Sequence, residues 1–310
     1  MRVKVLGSAA GGGFPQWNCA CRNCSRLRDG TLRGRARTQA QLAVSPDGSS
    51  WFLLNASPDL RQQLAAHSEF APKGAPRSTP ISAILLTSAD VECVLGLLHL
   101  REFQPLRIYS TLSVRRILTE DNSLFRTLAR SNPPSRWEVL PLDRLISLVA
   151  QGPAGAKMNL FCKAVPLNGS FPDYVSDHLR SSLPEEEAVI GLQLVQGEKR
   201  FFYAPSLPGR GEDWKRRISE SHLALLDGTF WTDDELIKIQ SSGKTARQLG
   251  HLPLSGASGL LGQLQSAHQT RCVLIHLNNT NPILDEESAE HRELLAAGRA
   301  IAFDGMELEL

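Results

Sequence analysis

Apolar and polar positions along the chain fall into short blocks with the spacing of strands more often than of helices. Arg2 to Gly7 reads as a strand, and Gln39–Ser45 and Trp51–Leu54 read as two more around the turn residues Pro46-Asp47-Gly48, a hairpin signal. Asn55-Ala56-Ser57-Pro58-Asp59 opens a helix through Leu60 to His67. Ile81–Leu86 is a buried-looking strand that ends at Thr87-Ser88-Ala89-Asp90 and leads into an apolar helix from Val91 to Leu100. Leu106–Tyr109, Trp137–Leu140, Asn159–Val165, Val189–Val195 and Arg200–Tyr203 continue the strand list. Leu223–Leu226 and Val273–Ile275 are short apolar strands that stop at Asp227 and His276. Ends of strands in α/β proteins are where sites are built. Gly169–Glu187, rich in proline, serine and acids, reads as a mobile loop or lid.

Strands follow one another directly in the first half and alternate with helical patterns elsewhere, without a low-complexity linker or repeat. This mixture predicts an α/β protein of the αββα type, two mixed sheets face to face with helices on the outer faces, better than a doubly wound sheet. Residues 1–310 are expected to form one domain.

Composition narrows the function classes. A hydrophobic content of 42% supplies a substantial core, and 34 basic against 32 acidic side chains leave a net charge of only +2. With no basic stripe, nucleic-acid binding is not expected. No apolar run reaches the length of a membrane helix, and the start of the chain enters a strand without a signal-peptide pattern. These features predict a cytoplasmic protein in a reducing compartment, where clustered cysteines more often hold metal than form disulfides.

Such a cluster is present. Cys19-Ala20-Cys21-Arg22-Asn23-Cys24 places three thiols within six residues, a set that can converge on a structural Zn²⁺ or, alternatively, form a redox pair. Just before it, Gly11-Gly12-Gly13 forms a loop without the endings of a P-loop or a dinucleotide fingerprint, read as the rim of an active site. Polar residues interrupt apolar segments at four further places. Asp90, Glu92 and Cys93 lie at a strand-to-helix junction and can serve as metal ligands, or as a helix cap, a first-turn acid and a small buried residue. Asp227 before Gly228, His251 in Gly250-His251-Leu252 and His276 in Ile275-His276-Leu277 read singly as a turn aspartate and two hydrogen-bonded structural histidines, and together, with the acids at the earlier strand end, as a shared metal centre. His67, His99, His178, His222, His268 and His291 read as ordinary, with His178 in reserve because its loop could fold over the site. Cys162 and Cys272 read as buried hydrophobes. Arg37 and the glycines Gly12 and Gly13 are candidates for holding a carboxylate-bearing reactant, and Arg37 reads equally as a surface charge after Arg33 and Arg35.

The stretches LGSAAGGGFPQWNCACRNC, RTQ, NASPDLRQQL, LLHLRE, LLDGT, GHL, IHLNNTNPILDE and FDGM span almost the whole chain. Through them it resembles the pyrroloquinoline quinone (PQQ) biosynthesis B family, a branch of the metallo-β-lactamase fold. The resemblance implies the same αββα sandwich. The fold's usual His-x-His-x-Asp-His ligand set falls here on Ser88, Asp90, Glu92 and Cys93, and the branch ordinarily keeps Asp-His where this chain has Glu92-Cys93. It implies Asp227 and His276 as metal ligands, His251 as an acid/base residue or extra ligand, and Cys19, Cys21 and Cys24 as a zinc clip. Related phosphodiesterases close that clip with a histidine, a position held here by Asn279. The implied activity is hydroxylation, dependent on iron and O₂, of the tyrosine-derived ring of a peptide-derived PQQ precursor, with Fe²⁺ on Glu92, Cys93, Asp227 and His276 and with His251 and Asp90 as candidate catalytic groups. A carrier that binds PQQ or its precursor is the second expectation and phosphodiester hydrolysis the third; a homodimer is left open.

Overall fold

The computed structural model describes residues 1–310 except 103–104, 131, 133, 150–156, 212, 241–242, 265–266 and 268. His268 thus lies outside the described residues. The strands are β1 (Arg2–Gly7), β2 (Gln41–Ser45), β3 (Trp51–Leu54), β4 (Ile81–Leu85), β5 (Arg107–Ser110), β6 (Arg136–Val139), β7 (Leu145–Val149), β8 (Lys157–Pro166), β9 (Ile190–Gln196), β10 (Lys199–Ala204), β11 (Leu223–Asp227), β12 (Arg271–Ile275), β13 (Ala300–Ile301) and β14 (Glu307–Glu309). They form two seven-stranded sheets, ordered β14-β1-β2-β3-β4-β5-β6 and β13-β12-β11-β10-β9-β8-β7. Both are mixed. β1, β2 and β3 pair antiparallel before β3 to β6 run parallel, and β10 to β13 run parallel beside the antiparallel β8–β9–β10 pairs.

Alternate residues explain the layering. In β3, Phe52 and Leu54 join an apolar cluster that also holds Leu192, Phe201, Tyr203, Leu225 and Val273 of the other sheet, so this cluster fills the space between the sheets. Trp51 and Leu53 point the opposite way into a second cluster with helix and loop residues such as Leu60, Leu97, Trp214 and Leu260. Central strands buried on both faces read as unbroken apolar runs, which is why they were visible in the sequence. The helices on the outer faces are short, for example Leu60–Ala65, Asp213–Ser219 and Ala289–Ala296. Among the described residues no helix is long and apolar enough to cross a membrane.

Three strands escaped the sequence pattern. β14 carries Glu307-Leu308-Glu309, of which only Leu308 is buried, and β13 has just two residues. β7 exposes Leu145 and lies at the edge of its sheet. The helix expected over Val91–Leu100 is one α turn, Val91–Val94, followed by a 3₁₀ segment, Leu95–Leu100. Gly169–Glu187 departs further from the expectation of a loose lid. Phe171, Val175, Leu179 and Leu183, spaced four apart, are buried in the outer cluster, and the Thr111 and Ser113 hydroxyls donate to Glu187.

The turn after β4 is fixed from outside by backbone bonds. Gly96 N donates to Ala56 O at 2.8 Å, and Ala56 N donates to Cys93 O at 2.7 Å. A Cβ on Gly96 would lie 2.8 Å from the Ala56 carbonyl oxygen, and this neighbour is main chain that cannot swing aside. Gly96→Ala should therefore cost about 1–3 kcal/mol of stability, read as a lower urea midpoint at unchanged m-value; an unaltered midpoint would contradict this packing.

Candidate metal centre

β11 and β12 are parallel neighbours in register, with Asp227 opposite Ile275, so their carboxyl ends deliver Asp227 and His276 side by side. Gly228 makes this approach possible, because a Cβ there would lie 2.6 Å from Leu277 and 3.0 Å from the Leu274 Cβ. His276 itself takes a left-handed backbone, φ 62°, an uncommon conformation for a residue with a side chain.

Asp227 is fully buried and fully engaged. Its Oδ2 accepts from Leu207 N and from His251 Nδ1, both at 2.8 Å, while its Oδ1 accepts from Thr229 N at 3.0 Å and Thr229 Oγ1 at 2.6 Å. Burial alone would push this carboxyl up, but the imidazoles of His251 and His276 and the Thr229 hydroxyl outweigh it and hold it below the usual carboxylate range. His276 Nδ1 meets Thr229 Oγ1 at 2.8 Å, which leaves Nε2 facing Glu92 Oε1 at 2.6 Å. Burial disfavours charge on His276, yet the Glu92 and Asp227 carboxylates raise its pKa to about 9. The His251 and His276 rings stack, centroids 5.4 Å apart.

Ligand atoms of Asp227, His251 and His276 thus lie within 4.8 Å of one another, with Glu92 bonded to the last of them. Two imidazoles and two carboxylates are a donor set that fits a divalent transition ion. Gly11 admits Glu92 to this group, since a Cβ on Gly11 would sit 2.6 Å from Glu92 Oε2.

The other candidates are placed differently. Cys93 is buried with its sulfur 3.8 Å from Thr87 Oγ1; it lines the same small cavity as Glu92 and His276 but lies outside the Asp227–His251–His276 group. Burial and the Asp90 and Glu92 carboxylates push its thiol well up, so the neutral form is favoured. Asp90 accepts from Ser88 Oγ at 2.7 Å and lines the same small cavity as Glu92 and His276. Arg37 turns its buried guanidinium toward Ser8 Oγ, 2.9 Å, and the Ala302 carbonyl, where burial lowers its pKa to about 10. Gly12 and Gly13 have positive φ and pack near Gln16 and the Arg37 carbonyl, so they shape the loop while Gly11 faces Glu92. Thr229 was missed in the sequence although it binds Asp227, His251 and His276; its only signal was its place two residues after Asp227.

The three clip sulfurs also lie within 4.8 Å of one another. Asn279 caps them, its Nδ2 donating to Cys19, Cys24 and Cys21 Sγ at 3.1, 3.4 and 3.6 Å. Asn23 Nδ2 donates to the carbonyls of Asn279 and Asn281 at 3.2 and 2.9 Å, so the clip is tied to the segment just after His276. Three thiols that close, supplied with N–H donors, fit a thiolate-bound Zn²⁺. Thr280 in that segment donates to the buried Glu235, whose other oxygen accepts from Trp231 N at 2.7 Å.

Comparison with known proteins agrees with this fold. Residues 50–277 match the family model described as Beta-lactamase superfamily domain. Coenzyme PQQ synthesis protein B of Pseudomonas paraeruginosa is 42% identical and that of Azoarcus sp. 44%, each over 100% of both chains. The crystal structure of Zn(2+)-bound PqqB from Methylobacterium extorquens superimposes with a TM-score of 0.90 at 38% identity, covering 100% of both chains. The chain belongs to the coenzyme PQQ synthesis protein B family of this superfamily.

Two outcomes follow from the geometry. Cys24→Ser should release the clip's zinc, read by elemental analysis, and lower the thermal midpoint by about 5 °C or more; full zinc retention would contradict the clip. Burial pushes Glu235 up from 4.5 to about 7 against its hydrogen bonds with Thr280, Trp231 and Thr232. The folded state therefore holds a proton that the unfolded chain has released, and stability falls as pH rises from about 4.5 to 7, by about 3 kcal/mol at most. Glu235→Gln should flatten that fall in urea titrations at pH 5 and pH 8; an unchanged slope would contradict it.

Proposed function

We propose that the protein acts in the biosynthesis of coenzyme PQQ as a hydroxylase of the tyrosine-derived ring of a precursor, using one iron ion held by His276, Glu92 and Asp227, the last exchanging one of its four hydrogen bonds for the ion. The observation that carries this reading is the convergence of Asp227, His251 and His276 within 4.8 Å beside Glu92. The names of its relatives support the pathway. Ser88 and Asp90, bonded to each other, supply no imidazoles for a second ion, which disfavours a binuclear hydrolytic centre. A ferrous ion bound there would supply activation of O₂.

The chain's own residues do the rest. Asp227 accepts the proton-bearing Nδ1 of His251 and fixes that tautomer, so Nε2 carries the lone pair and accepts a proton from the substrate. The His251 side chain is 13% accessible against 0% for Asp227, so of this hydrogen-bonded pair the imidazole is the member within reach of a substrate. Thr229 contacts Nδ1 of both stacked rings, whose planes are 23° apart. The ring C–H becomes C–OH with one oxygen atom of O₂, and the other leaves as water, two electrons and two protons coming from an organic reductant.

Protein purified without air should contain about one equivalent of iron beside zinc, and Asp227→Ala and His276→Ala should each lose the iron, keep the zinc and abolish substrate-dependent oxygen uptake. Zinc alone, with tight PQQ binding and no oxygen uptake, would replace the hydroxylase by a carrier.

A further inference from the structure

A cavity of about 340 Å³ adjoins the metal centre and shares Asp90 and Ser206 with the small cavity around Glu92 and His276. Three cations, Arg210, Lys244 and Arg247, line it. Arg210 and Lys244 are exposed and have no ion-pair partner among the described residues. Arg247 is steadied by the Ser258 carbonyl and hydroxyl at 3.1 and 3.3 Å, neutral groups that leave its charge unmatched. Against them stand two carboxylates, the exposed Asp173 and Asp90, the latter already bonded to Ser88. The cavity beside the clip makes an instructive contrast. There Arg26 is paired with Asp285, and Arg22, Glu287 and Glu290 line the same space, so the carboxylates outnumber the cations.

Unpaired cations around a concavity that opens on a reactive centre are suited to recognise an anion, because guanidinium and ammonium groups already free of carboxylates lose no internal pair on binding. We infer that Arg210, Lys244 and Arg247 form the wall that reads the carboxylates of a small organic polyacid and turns its ring toward His251 and the metal centre. This rests on the assignment of the centre to PQQ biosynthesis. The size of the cavity is at the small end of ligand pockets, which suits a compact aromatic acid. Steering by the same charges makes association sensitive to salt.

The test uses PQQ, itself a tricarboxylate, as the probe, with affinity measured by calorimetry on full-length protein whose metal content is measured in parallel. Arg210→Gln, Lys244→Gln and Arg247→Gln should each weaken binding by about threefold to tenfold, and the triple variant by about a hundredfold, with metal content unchanged. The control Arg22→Gln, an exposed charge beside the clip, should leave affinity as it was. Raising salt should weaken the native protein and leave the triple variant nearly indifferent. PQQ binding that ignores the three substitutions, or that is absent from the native protein, overturns the inference. Absence of iron with binding still dependent on the three cations overturns the hydroxylase assignment and upholds the wall.

Discussion

A fully buried carboxylate must be satisfied on every side, and Asp227 meets that demand by organising its surroundings. Its two oxygens collect the Leu207 and Thr229 amides, the Thr229 hydroxyl and His251 Nδ1. Leaving such a charge unpaired in the interior would cost several kcal/mol, so each donor is held in place by the fold as much as by the bond. The left-handed turn at His276 and the bare Cα of Gly228 are consequences of bringing β11 and β12 together at this point. Thr229 then joins Asp227 to both imidazoles, and Glu92 reaches the centre from the helical turn that follows β4 of the other sheet.

The centre and the cysteine clip are mechanically connected. Asn279, three residues beyond His276, points its amide at all three sulfurs while its own carbonyl accepts from Asn23. The N-terminal loop that carries the clip also carries Gly11, the residue that makes room for Glu92. A metal bound by the cysteines would thereby stiffen both the His276 segment and the loop facing Glu92 and would help to set the shape of the centre.

Much of this was legible before any coordinates. The central strands could be read because both faces are buried, and Asp227 and His276 because a polar residue ends an apolar run. The edge strands β13 and β14 were not, since pairing to a neighbour, not burial, makes them strands. The anchored segment around Phe171, Val175, Leu179 and Leu183 hid four core residues in a composition that reads as loop. At the site, spacing singled out Cys93 and Glu92 equally, but adjacent positions on a helix turn point different ways; Glu92 reaches His276 and Cys93 turns to Thr87. Arg37 read as a substrate cation because a guanidinium near a strand end has two uses, and only the positions of Ser8 and Ala302 decide between them.

Anomalous diffraction from crystals grown without air, recorded at the iron and zinc absorption edges, tests the central claim most directly. The account predicts an iron peak among Asp227, His276 and Glu92 and a zinc peak among Cys19, Cys21 and Cys24. An iron peak bound to the Cys93 sulfur, or no metal peak between Asp227 and His276, would contradict it.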